Sequence, residues 1–263
     1  MKEKSTLSAV KLPNPSTAPL RLAKSLKISV LCPTRGRPQS ASRLAESARK
    51  TCIGNVAILF YCDDDDPLLT EYKVPRITGP DYMYAMKCHI LARATDAKIL
   101  MMCGDDAVFR TPGWDNTLRY CYKKWPDGIW CASFWDGTPG KIDKAGVKKI
   151  THPHPAIGRE AFEVLGYVAN PMFQHFCCDP WLTSMFQEIG RFKYFKDVRM
   201  DHLRAGVVKA VKEDDTYHKL RPGGRHLISQ RDRTVKELFE RYRQLDVELL
   251  KRAIEEKKDV VLA

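Results

Sequence analysis

The sequence has no apolar run near the twenty residues a helix needs to cross a bilayer. It also lacks a secretory leader pattern, because residues 1–27 are broken by polar and proline-bearing stretches. A soluble, cytoplasmic protein rather than a membrane-bound or secreted one is the expectation. Zinc-type C-x-x-C pairs are missing: the nine cysteines are an odd number and scattered, and the adjacent Cys177 and Cys178 are poorly placed to chelate one ion. Reduced thiols fit this pattern better than a disulfide frame. There is no Walker loop, no G-x-G-x-x-G, no arginine-rich run and no internal repeat. What remains is an alternation of short apolar runs with helical segments, which predicts an α/β chain built on a mainly parallel sheet flanked by helices.

Three acidic clusters stand directly behind apolar runs: Asp63-Asp64-Asp65-Asp66, Asp105-Asp106, and Asp201 with His202. In an open α/β sheet the ligand crevice lies beyond the carboxyl ends of the strands, so these carboxylates are candidates to meet around a metal and a phosphorylated substrate. The spacing predicts strands over 27–32, 56–62, 98–103, 128–135 and 192–195. Helices are predicted over 40–50, 82–97, 115–124, 158–165 and 179–189, with a long amphipathic helix over 231–258. Proline-rich residues 1–26 read as an irregular arm, 27–220 as the catalytic domain, and 221–263 as a helical extension.

The loop Pro33-Thr34-Arg35-Gly36-Arg37-Pro38 offers two guanidinium groups, a hydroxyl and a glycine that admits close approach, all suited to a diphosphate. A proline-bounded turn with solvated arginines is the alternative. Four consecutive aspartates repel one another unless some accept hydrogen bonds or face cations; the other reading is a solvated turn closed by Pro67. Asp105 and Asp106 are the sharpest signal, because apolar flanks bury the segment and a buried carboxylate needs a counterion, such as a hard divalent cation.

Taken in order, these segments resemble the metal-dependent glycosyltransferases of the GT-A fold, especially the glycosyltransferase-like proteins of bacteriophages. The resemblance runs from Lys27 to Tyr217. It rests on the stretch from Val30 to Pro38, the turn Tyr61-Cys62-Asp63-Asp64-Asp65-Asp66-Pro67, and Gly104-Asp105-Asp106 followed by Thr111-Pro112-Gly113-Trp114-Asp115. Leu165-Gly166-Tyr167, Asp179, His202 and Asp214-Asp215-Thr216-Tyr217 extend it. It implies a nucleoside-diphosphate sugar donor, with Pro33, Thr34, Arg35, Arg37, Asp63, Asp64 and Asp105 in its binding site. It further implies Mn²⁺ or Mg²⁺ at a D-x-D-like motif formed by Asp105 and Asp106, with His202 as third ligand. Cys103 stands where the usual motif has its first acid, which leaves open which of the two aspartates meets the ion. By the same likeness Asp179 is the general base of an inverting transfer, although an aspartate ahead of Pro180 also suits a helix N-cap.

His152 and His154 either line an acceptor pocket or lie exposed in a loop, and Trp114, Trp130, Trp135 and Trp181 either form a sugar platform or fill the core. The net charge of +12 is unevenly spread, positive over 1–50 and negative over 51–109. An acidic pocket with basic flanks favours a polyanionic acceptor, a hydroxymethylated pyrimidine in DNA, over a saccharide or protein hydroxyl. Nucleotidyl transfer shares the same acids and metal and is the remaining enzymatic alternative.

Overall fold

The computed structural model describes residues 26–138, 141–142, 148–149, 152–203 and 224–262. Residues 1–25 of the arm expected over 1–26, and the Asp214–Tyr217 turn, lie outside these residues. Eight strands form one sheet in the order β3-β2-β1-β4-β9-β6-β10-β5. They are β1 (Ile28–Thr34), β2 (Val56–Asp63), β3 (Arg76–Gly79), β4 (Ile99–Met102), β5 (Ala107–Phe109), β6 (Cys131–Trp135), β9 (Ala156–Gly158) and β10 (Phe192–His202). The short strands β7 (Lys141–Ile142) and β8 (Lys148–Lys149) pair apart from it. Helices α1 (Pro38–Thr51), α2 (Tyr84–Arg93), α3 (Trp114–Lys124), α4 (Arg159–Leu165) and α5 (Cys178–Glu188) flank the sheet, followed by α6 (Gly224–Leu238) and α7 (Glu240–Leu262).

The strands read as unbroken apolar runs because both sheet faces are covered. Ile28, Val30 and Cys32 of β1 point into a core with Leu44 of α1 and Trp114 of α3, whereas Leu31 points into a second core with Cys88, Trp181 and Phe186. Strand β4 repeats the alternation, Ile99 and Met101 to the first core, Leu100 and Met102 to the second. Trp114, Trp130 and Trp181 are wholly buried and belong to these cores.

Strands β1, β2, β3 and β4 pair in parallel, as do β6 and β10. Strand β9 lies antiparallel between β4 and β6, so it links two halves that share one direction. Strand β10 is much longer than the stretch 192–195 suggests. Its register against β6 jumps between Phe195 and Arg199, and its last residues then pair antiparallel with β5, setting His202 opposite Ala107. The single helix expected over 231–258 is divided at Phe239, where Tyr242 N–H donates to the Phe239 carbonyl. Val247, Leu250 and Ile254 of α7 are buried in the second core, so the C-terminal segment packs as part of the body.

Two glycines serve the site directly. A Cβ on Gly104 would stand 2.7 Å from Asp106 Oδ1 and 3.3 Å from His154 Cε1, so only glycine leaves these two side chains their room. Gly36, at φ 66°, turns the chain from β1 into α1.

Candidate functional site

Six strands run in one direction and end at one sheet edge, at Thr34, Asp63, Gly79, Met102, Trp135 and His202. The two opposed strands begin at that edge. Segments 103–106, ahead of β5, and 152–155, ahead of β9, therefore arrive at the same place as the strand ends.

On one side lie the first loop and the acidic turn. Asp63 is fully buried between Arg35, at 3.1 Å, and Lys87, at 2.5 Å, and Lys87 also pairs with Asp81 at 2.8 Å. Asp65 is exposed and pairs with Arg35, and Asp64 is exposed. Asp66 is buried and structural: it accepts from Gly36 N–H at 2.7 Å, Leu68 N–H at 2.9 Å and the Tyr72 hydroxyl at 3.0 Å. The four aspartates are thus neither all solvated nor all functional. Two anchor a cationic loop, one ties the turn, and one faces water.

At the centre the two neighbouring aspartates have different partners. Asp105 accepts from the Thr34 hydroxyl at 2.6 Å and from Arg37 at 3.2 Å, which ties the 103–106 segment to the first loop. Burial, with the charge of Asp106, pushes its pKa up to about 6 against the opposing pull of Arg37 and Thr34. Burial also acts upward on Asp106, yet His202, His154 and Arg37 outweigh it and hold this carboxyl well below the usual range.

Asp106, His154 and His202 offer ligand atoms that all lie within 4.8 Å of one another. His202 Nε2 is 3.3 Å from Asp106 Oδ2, and the two imidazole rings stand edge to face at 4.6 Å. Among the described residues His202 Nδ1 is buried without a hydrogen-bond partner, and Gly104 N–H donates to His154 Nδ1 at 3.2 Å. One carboxylate and two imidazoles fit a divalent ion, and the space that Gly104 leaves beside two of them fits it too. Asp105 stands next to this cluster, on the side of the first loop.

Asp179 lies in the first turn of α5. The helix is capped by Cys177 in the left-handed region, at φ 65°, so Asp179 is not the N-cap; among the described residues its carboxylate has no hydrogen bond or ion pair. The residue is half-buried, and burial raises its pKa to about 6, with the charge of His202 pulling the other way. This is a carboxylate available near neutral pH to take a proton.

Other candidates have structural roles. Asp115 is wholly buried, pairs with Arg119 and accepts from Ile53 N–H at 3.1 Å and Gly54 N–H at 2.8 Å. Asp201 bridges Arg110 at 2.7 Å and Arg199 at 2.6 Å. His152 bonds to Ser133 at 3.2 Å between Phe192 and Tyr194, and Trp135, half-buried under Arg199, donates to the Thr138 carbonyl at 2.8 Å. The residues that sequence reasoning missed are His154 as a partner of Asp106, and Lys87 as the buried cation on Asp63. A histidine separated only by Pro155 from the run Ala156-Ile157-Gly158 was the one available signal for the first.

The sheet order, the acidic strand ends and the helices around them define a GT-A-like α/β fold. The Pyrobaculum calidifontis mannosyltransferase PcManGT, solved with GDP-Man and Mn²⁺, superposes with a TM-score of 0.51 over 86% of this chain and 73% of its own, at 10% identity. TarS residues 1–349 from S. aureus, solved in complex with UDP, also gives 0.51 at 9% identity over 66% of this chain. The match spans 59% of that TarS chain, less than two thirds of its length. A mycobacterial protein gives 0.51 at 14% identity, over 75% and 74% of the two chains. No protein-family model and no curated protein matches the sequence. Among the described residues no helix is long and apolar enough to cross a membrane, and all nine cysteines are free thiols.

Proposed function

We propose that this protein is a metal-dependent glycosyltransferase that moves a sugar from a nucleoside-diphosphate donor to a hydroxyl, with inversion. One observation carries the reading: a carboxylate and two imidazoles cluster at the sheet edge, beside Asp105, which is tied to the Thr34–Arg37 loop, and the electrostatics of Asp179 suit a base near neutral pH. Two fold neighbours were solved with a nucleoside diphosphate, UDP, and with a nucleoside-diphosphate sugar, GDP-Man, the class of ligand that such a site would take.

In this reading Arg35 and Lys87, held by the buried Asp63 behind them, form the wall facing the nucleoside, with Pro33, Thr34, Arg37 and Asp64 completing the donor side. Asp106, His154 and His202 would hold the ion, with Asp105 holding the segment to the donor loop. When bound, the ion supplies positive charge that offsets the charge of the departing diphosphate. Two imidazole donors favour Mn²⁺ over Mg²⁺, which prefers an all-oxygen octahedron. Asp179 takes the acceptor hydroxyl proton as that oxygen forms its bond to the anomeric carbon and the carbon–diphosphate bond breaks on the opposite face. Positive charge over the first 50 residues and in the chain as a whole supports a DNA acceptor, with a hydroxymethylated pyrimidine as the nucleophile, in a phage-type modification enzyme of the host cytoplasm. A duplex base would have to leave the stack to reach the site.

The test is a thermal-shift screen of nucleotide sugars with Mn²⁺ and Mg²⁺, since a ligand that binds only the folded state raises the melting temperature. A donor-dependent shift that needs Mn²⁺ and disappears in Asp106→Asn is expected. No shift with any nucleotide sugar, or a shift indifferent to metal and to Asp106, rejects the reading.

A further inference from the structure

The loop that leads into Asp179 is held from outside its own sequence neighbourhood. Asp232, on α6, is wholly buried, and its two carboxylate oxygens accept three consecutive backbone N–H groups: Gln174 at 3.1 Å, His175 at 3.1 Å and Phe176 at 2.8 Å. Successive N–H groups turned toward one point make a concavity for an anion, and here the chain supplies that anion itself. Arg231 pairs with the same carboxylate at 3.0 Å and reaches the Met172 carbonyl at 3.4 Å. From the other side, Tyr84 N–H donates to the Gln174 carbonyl at 3.1 Å. The next residue, Cys177, sits in the left-handed conformation that side chains other than glycine disfavour, and Cys178 and Asp179 open α5 directly after it.

This arrangement has a consequence for Asp179. Its carboxylate has no bond of its own among the described residues, so its place is set by where α5 begins. That is set by the turn at Cys177, and the turn follows the segment that Asp232 grips. We propose that Asp232 is a positioning residue for the general base, fixing Asp179 toward the acceptor side of the site through the 174–176 backbone. The inference rests on Asp179 acting as the base. It makes the C-terminal helices part of the catalytic apparatus.

The experiment compares wild type, Asp232→Asn, Asp232→Ala and Asp179→Asn in the full chain. The probes are UDP-glucose and GDP-mannose with Mn²⁺, and the readouts are hydrolysis of the donor, its melting shift, and hydrogen exchange over 174–179. Asn keeps the shape but loses an acceptor oxygen; Ala loses all three bonds. Turnover is expected to fall about 10- to 100-fold, Ala more than Asn, because a small misplacement of a reacting group costs that much. The KM for donor and the donor-induced melting shift stay at wild-type values, and the amides of 174–179 exchange faster. Should Asp232→Ala fail to fold, the Asn variant carries the same expectations. Wild-type kcat in folded Asp232→Asn, beside an inactive Asp179→Asn, overturns this inference and leaves the base assignment standing. A parallel fall of kcat and donor binding overturns it as well, since that is loss of folded protein. Full turnover in Asp179→Asn overturns the base assignment and this inference together.

Discussion

Three carboxyls, two at the sheet edge and one in the first turn of α5, have been driven apart by their surroundings. Asp106 is held ionised by two imidazoles and Arg37, while Asp105 and Asp179 are pushed to about 6. For Asp179 the folded pKa lies above its ordinary value of 3.8, so the folded state favours the protonated form. Stability from this group is greatest below that ordinary value and is lost as pH rises through about 6. At pH 7.5 the ionised Asp179 therefore opposes folding, and Asp179→Asn should raise stability by about 1–3 kcal/mol in urea unfolding while removing turnover. An activity-dead variant less stable than wild type at that pH counts against a base strained by burial. The same value fixes the catalytic profile: with metal and donor saturating, kcat should climb with pH and level off above about 6, because the base works only when ionised. Asp106 was legible in the sequence because a carboxylate between apolar runs is hard to explain without a partner or a task, whereas Asp179 came from the family resemblance alone and its role as base is a proposal. His154 was not: between Pro153 and Pro155 it reads as a loop residue, and its closeness to Asp106 follows from where β9 enters the sheet.

The elements that escaped sequence reasoning are short ones whose position comes from pairing. Strand β9 is three residues long and antiparallel to both neighbours, so neither its length nor its pattern announces it, yet it delivers His154. The apolar strands β1, β2 and β4 and the helices between them were legible because burial on both faces leaves a continuous run. Strand β10 was read at a fraction of its length, because the register jump after Phe195 interrupts the apolar pattern with Lys196 and Asp197. Gly104 links β4 to the acidic pair, and the Gly104→Ala methyl would press on Asp106 and His154 together. Mn²⁺ affinity, read by the ion's own melting shift, should fall about tenfold or more while the metal-free protein stays folded. Unchanged affinity would mean that these two side chains do not bind the ion jointly. Helix α7 contributes Val247, Leu250 and Ile254 to the second core. Leu250 is fully buried, and Leu250→Ala should cost about 2–5 kcal/mol of unfolding free energy. A cost near zero would show that α7 docks too weakly to support α6 and its grip on the 174–176 segment.

At the scale of the whole molecule the two charge signs are separated along the chain, and the separation bears on the acceptor. The end of the sheet around Thr34 and Asp63 is rich in carboxylates that already have cations: Asp63 is matched by Arg35 and Lys87, and Asp105 by Arg37. Excess positive charge, +12 over the chain, is left for other faces, where Arg110 and Arg199 are half-exposed even though both touch Asp201. If that excess serves a DNA acceptor, affinity must carry the signature of counterion release, which a saccharide or an uncharged protein hydroxyl cannot produce. Engaging three or four phosphates predicts that affinity for duplex DNA falls about 40- to 150-fold as salt rises from about 50 to 200 mM. Fluorescence anisotropy with a labelled duplex measures this, run with and without Mn²⁺ and donor. Backbone contacts do not read bases, so hydroxymethylated and unmodified duplexes should bind alike, and only the hydroxymethylated one should accept sugar. A flat salt profile together with transfer to free saccharides would move the acceptor to that class while leaving the metal cluster, the donor loop and Asp179 in the roles argued for them.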